Sequence, residues 1–121
     1  MKLVSILIAL NVVTHVWFLV FEMFLWQSKF AQKAFRMSEQ VARDSAVLAA
    51  NQGLYNGFLA AGLTWGLCTA DPVLGHALQV FFLSCMLVAG LFGGLSANKR
   101  ILFLQALPAL IPLAMILFST Y

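Results

Sequence analysis

LAANQGLYNGFLAAGL, residues Leu48–Leu63, decides how this chain is read. It sets Asn51, Gln52, Tyr55 and Asn56 in an otherwise apolar run and interleaves them with Gly53, Gly57, Ala60, Ala61 and Gly62. It lies in a mostly apolar segment, about 45–69, long enough to cross a membrane, and a lone span in lipid must satisfy its own backbone hydrogen bonds, which predicts a helix. Its polar residues then cover one broad face, and Gly53, Gly57, Ala60, Ala61 and Thr64 cover another. The spacing G-x-x-x-G, present at Gly53–Gly57 and again at Gly62–Gly66, lets a second helix backbone approach closely.

The surrounding chain says what solvent this helix meets. Of 121 residues 63% are hydrophobic and 9% charged, far below the roughly one quarter charged that soluble domains carry. Crossing a hydrocarbon core of about 30 Å takes about 20 mostly apolar residues. Four segments meet that length, at about 3–26, 45–69, 73–97 and 101–120. A β-barrel would show alternation in strands of about ten residues, and none is present. The apolar start, MKLVSILIAL, runs on through Trp17 and Phe18 to Trp26, which is too long for a cleaved signal and predicts a retained span. The expectation is an all-α integral membrane four-helix bundle forming a single transmembrane domain, 1–121.

Charge orients it. The segment 27–44 carries Lys29, Lys33, Arg36 and Arg43, and the turn Asn98–Arg100 carries Lys99 and Arg100, against Lys2 alone on the other side. By the positive-inside rule loops 1 and 3 are cytoplasmic and both termini lie outside. In 27–44, Phe30, Phe35 and Met37 alternate with the bases, as in a segment lying at the membrane interface. Ser38, followed by Glu39, is a helix N-cap, and Pro72 suits the first position of the third span. The net charge of +3 comes with no nucleic-acid motif, and Cys68 and Cys85 lack the spacing of a metal site, so neither nucleic acid nor a metal or other cofactor is implied.

The other helices carry their own polar stripes. In the first, Asn11, His15, Phe18 and Glu22 fall at i, i+4, i+7 and i+11, one face of a helix. An intramembrane carboxylate costs several kcal/mol unless neutralised, paired or hydrated, so Glu22 should face the bundle or a wet cavity. The alternative is that it reaches the interface and pairs with a base such as Lys29. His15 is either a neutral imidazole bonded to a neighbouring helix or a proton-handling group. The third span sets Gln79, Leu83, Met86, Gly90, Gly93 and Ala97 on one face, and the fourth has Gln105 before Pro108 and Pro112, which remove two amide donors and kink it. At 1.5 Å per residue, Glu22 lies about 6 Å from the cytoplasmic end, Asn51, Gln52 and Gln105 about 9 to 10 Å, and His15 about 16 Å, level with Tyr55 and Asn56. A polar seam of Asn11, His15, Glu22, Asn51, Gln52, Tyr55, Asn56 and Gln105 is therefore expected in the cytoplasmic half of the membrane.

With those residues laid out, LAANQGLYNGFLAAGL, the pair His15 and Glu22-Met23 with Trp17 shortly after the histidine, and LFLQALPALIPL (Leu102–Leu113) together resemble domain of unknown function family 1304, small bacterial integral membrane proteins with four helices. The resemblance implies fold and location in the bacterial inner membrane, and supplies no catalytic residues. The residues themselves point to binding or transport of a small or lipid-like molecule at the seam, with membrane lipid and a second copy of the chain as the other candidate partners. Two readings stay open beside it: a membrane-embedded acid-base enzyme acting on a lipid or quinone-like substrate, and a structural or accessory subunit. No nucleophile with an adjacent base and no nucleotide loop accompanies Glu22 and His15, so whether the chain is an enzyme is undecided.

Overall fold

Asp71 and Pro72 start the longest helix. The Asp71 carboxylate accepts from the Val73 and Leu74 amides at 2.9 and 3.2 Å, and Pro72, with no N–H to satisfy, takes the first position. The computed structural model describes residues 2–118, and these are all-α. The elements are α1 (Lys2–Phe24), α2 (Lys29–Phe35), α3 (Glu39–Asp44), α4 (Ala46–Cys68), α5 (Pro72–Ser96), a π-helical turn (Leu102–Ala106) and α6 (Leu107–Phe118). The last two residues of the fourth expected span lie outside the described residues. Of these helices, α1 and α5 are long and apolar enough to cross a membrane. α4 matches α1 in length, but its amides make it less apolar.

The segment 27–44, read from sequence as a loop, holds two short helices. Ser28 caps α2 by accepting from the Ala31 amide, and Ser38 caps α3 by accepting from the Val41 amide, each at 3.2 Å. α2 stops because Arg36 turns left-handed (φ 51°), so that its own amide and that of Met37 bond back to the last helical carbonyls. Ser38 thus begins a separate one-turn-and-a-half helix rather than extending α4, and Ser45 stands between the two.

The chain packs as two compact units, one from the stretch up to Val13 together with that from Leu59 on, the other Thr14–Phe58. The core of the first gathers Ile8 from α1, Leu63 from α4, Leu83 and Met86 from α5, and Ala109, Leu113 and Ile116 from α6. Its close approaches fall at glycines. The Phe82 ring occupies the place a Cβ would take on Gly62, and a Cβ on Gly90 would lie 2.6 Å from the Ala106 amide nitrogen. Gly94, rather than the expected Gly93 and Ala97, completes this face against Leu102. The Gln79 amide donates to the Gly66 carbonyl at 2.8 Å, one of the α4 C-terminal carbonyls that has no helical donor.

Pro108 and Pro112 shape the last helix as expected from their missing amides, but by widening rather than breaking it. Ahead of Pro108 the chain takes one π turn, in which the Leu107 amide reaches back to Leu102. Pro112 leaves the Pro108 carbonyl without its helical donor, and the Asn11 side chain donates to it at 2.8 Å. Gln105 donates to the Met86 carbonyl at 3.3 Å. Both amides are thus engaged by backbone within the first unit.

Candidate functional site

The second unit contains the one buried carboxyl of the described residues. Gly53 makes it possible: a Cβ there would lie 2.9 Å from Met23 Cγ and 3.1 Å from both Glu22 Cβ and the Leu19 carbonyl oxygen, so α4 rests directly on the last turns of α1. Gly57 repeats this one turn on, where a Cβ would meet Leu19 Cδ1 at 2.5 Å. The close packing delivers Asn56, whose Nδ2 donates to Glu22 Oε1 at 2.9 Å, with Glu22 9% and Asn56 8% exposed.

Among the described residues no Lys or Arg pairs with Glu22. Among the described residues the sole ion pair is Arg43 to Glu39 on α3, at 2.9 Å and exposed. Lys29, which a snorkelling Glu22 would have met, is exposed. Asn56 engages one carboxyl oxygen of Glu22, and the other has no hydrogen-bond partner among the described residues. That second oxygen is open to a proton, a cation or a further hydrogen-bond donor. Two turns earlier on the same face of α1, His15 is fully buried, its ring edge-on to Phe18 at 5.4 Å.

Beside Glu22, Phe21 is the hub of an aromatic cluster. Its ring lies 6.1 Å from Trp17, 6.4 Å from Trp26, 5.9 Å from Phe30 and 5.7 Å from Phe35, and Trp26 Nε1 donates to Ser45 Oγ at 2.9 Å. α2 and the start of α4 are thereby tied to the end of α1 that carries Glu22. Sequence reading placed Phe30 and Phe35 at an interface and missed the cluster. Its signal was the density of aromatics from Trp17 to Phe35, which periodicity alone does not resolve into contacts.

The expected seam is therefore divided. Glu22 and Asn56 bond directly, His15 shares the α1 face of Glu22, and Asn11 and Gln105 are engaged in the first unit. Asn51 and Tyr55 lie exposed on the other side of α4, and Gln52 lies exposed at its flank. Asn56 belongs with the small residues: Ala49, Gly53, Asn56, Ala60 and Leu63 form one buried stripe at helical spacing.

Comparison with known proteins identifies the family of the chain. The model of the family described as "Protein of unknown function (DUF1304)" matches residues 9–117, which takes in every residue of the site. The uncharacterized protein YpaA of Lactococcus lactis subsp. lactis (strain IL1403) is 30% identical over 108 residues, covering 87% of this chain and 89% of that protein. No solved structure matches. A match of that length, carried by the same helices that hold Glu22 and Asn56, places the chain in the DUF1304 family of proteins of unknown function.

Proposed function

We propose that the chain is a multi-pass protein of the bacterial inner membrane that binds a small or lipid-like molecule beside Glu22 and Asn56. The observation that carries the binding reading is the Glu22 carboxyl, buried, bonded to a neutral amide and without a Lys or Arg partner among the described residues. Such a group costs free energy in an apolar span, and polar groups at that depth mark ligand or ion paths by default. The ligand chemistry it suits is a cationic or hydrogen-bond-donating head on an apolar body, since one carboxyl oxygen is held by Asn56 and the neighbouring side chains at the α1–α4 contact, Leu19 and Met23, are apolar.

Membrane insertion is supported by where the apolar side chains lie. In a soluble protein a long apolar helix is covered by the rest of the fold. Here only 17% of the most apolar window of α1 and 22% of that of α5 is buried, and Leu3, Leu10, Val13, Val88, Phe92 and Leu95 are exposed. Patches of this extent are covered by lipid or by partners. On this reading α1, α4, α5 and the stretch from Leu102 through α6 cross the bilayer, and Lys29, Lys33, Arg36 and Arg43, exposed around short helices, mark the cytoplasmic side.

Native mass spectrometry of protein released in mild detergent tests the binding reading. The wild type should carry an adduct that collisional activation releases, and Glu22→Gln and Asn56→Leu should each lose at least roughly tenfold of its occupancy, equivalent to about 1.4 kcal/mol. An adduct retained equally by both variants, or a wild type that carries none, would contradict it.

A further inference from the structure

The side of α4 that turns away from Glu22 has a spacing the binding site does not use. Leu48, Asn51, Tyr55 and Phe58 follow one another at intervals of three, four and three residues, the repeat of a helix-pairing seam. All four are exposed, Leu48 at 73%, Tyr55 at 58% and Phe58 at 55%. Among the described residues the side chains of Asn51, Tyr55 and the flanking Gln52 make no hydrogen bond within the chain. The Tyr55 ring stands edge-on to the Phe58 ring at 5.9 Å.

In water three exposed polar groups need no account. In a membrane-spanning α4, the reading proposed above on which this inference rests, they would face hydrocarbon, where unsatisfied amides and phenols are costly. We propose that this seam is the contact between two copies of the chain, with α4 of each packed in parallel against α4 of the other and Asn51 paired with Asn51 across the two-fold axis.

Three observations select a second copy as the occupant. An amide carries both donors and acceptors, so it is complementary to itself, and an asparagine at a seam position is the residue that sets register between identical helices. The six-to-one bias of Lys and Arg gives every copy the same orientation, so Asn51, Gln52 and Tyr55 of two copies sit at one depth. The face is also free for the purpose, because the G-x-x-x-G pair Gly53 and Gly57 is spent on contact with α1.

Cysteine cross-linking of the full chain in native membranes tests this. After both cysteines, Cys68 and Cys85, are replaced by alanine, single cysteines are introduced as Leu48→Cys, Asn51→Cys, Tyr55→Cys and Phe58→Cys, with Val88→Cys on exposed α5 as reference. Oxidation should give a product of twice the chain mass at the four seam positions, several-fold more than at position 88. In dilution of labelled protein into lipid, Asn51→Leu should weaken self-association roughly 5- to 30-fold, the range expected of an interhelical amide bond. Equal cross-linking at all positions, none at the seam, a product containing another protein, or unchanged association of Asn51→Leu would each overturn the proposal. Retention of the chain in carbonate-washed membranes is scored in the same samples. A chain washed out fails the membrane reading itself, whereas a retained chain without seam cross-links fails only the pairing.

Discussion

Gly90→Ala should lower the stability of the protein by about 1–3 kcal/mol in reversible unfolding from detergent, the cost of forcing extra volume into a filled contact. The added methyl would lie 2.6 Å from the Ala106 nitrogen and 2.8 Å from its Cα, so it meets backbone rather than a side chain that could swing aside. Relief requires α5 to move off the π turn at Leu102–Ala106, and with it the Gln105 bond to the Met86 carbonyl. Gly93→Ala is the comparison. Its methyl would meet only the Ile101 side chain at 3.4 Å, ordinary contact distance, and should be neutral or stabilising by up to about 1 kcal/mol through helix propensity. Equal effects at the two positions would show that the close approach of α5 to the π turn is not what constrains this unit.

Asn11→Leu should cost about 1–2 kcal/mol, and most of that cost should vanish when Pro112 is replaced by alanine. The Pro108 carbonyl lacks a helical donor because residue 112 is proline, and Asn11 Nδ2 supplies one at 2.8 Å while also bonding the Leu7 carbonyl at 2.9 Å. Removing the amide leaves a partly buried acceptor unsatisfied. Pro112→Ala restores an N–H at position 112, which can take the acceptor back. A double-mutant cycle measures this coupling through the shared Pro108 carbonyl. The same cost in both backgrounds would assign Asn11 a role other than capping the proline-containing helix.

Asn11 illustrates how the reading of the sequence and the structure part company. Its burial was legible, since it lies on the stripe with His15 and Glu22, and Pro108 and Pro112 announced freed carbonyls. That the one answers the other was not, because a contact across 97 residues has no local signature. Helix starts were legible where chemistry is local: Pro72 occupies the first position of α5, and Ser38 is an N-cap. The division of 27–44 into α2 and α3 was not, since it depends on Arg36 adopting a left-handed conformation that glycine usually takes.

For the site, the cost of a carboxylate in an apolar segment pointed Glu22 inward, and its side chain is buried. Asn56 was grouped with Asn51 and Gln52 by proximity in sequence. A helix separates residues 52 and 56 by only about 40°, so the boundary between faces is decided by where Gly53 and Gly57 let α1 press in. That packing turns Asn56 to Glu22 and leaves Asn51 and Tyr55 on the opposite side, which converts one expected polar seam into a buried pair and an exposed one.

On the proposed reading Glu22 lies in apolar surroundings within the membrane, and carbodiimide labelling of native membranes measures that directly. A lipid-soluble carbodiimide should modify Glu22, read by mass spectrometry of the peptide, while a water-soluble one should modify the exposed Glu39, Asp44 and Asp71 and spare Glu22. Labelling of Glu22 by the water-soluble reagent at the level of Glu39 would place its carboxyl at the aqueous surface and contradict the site.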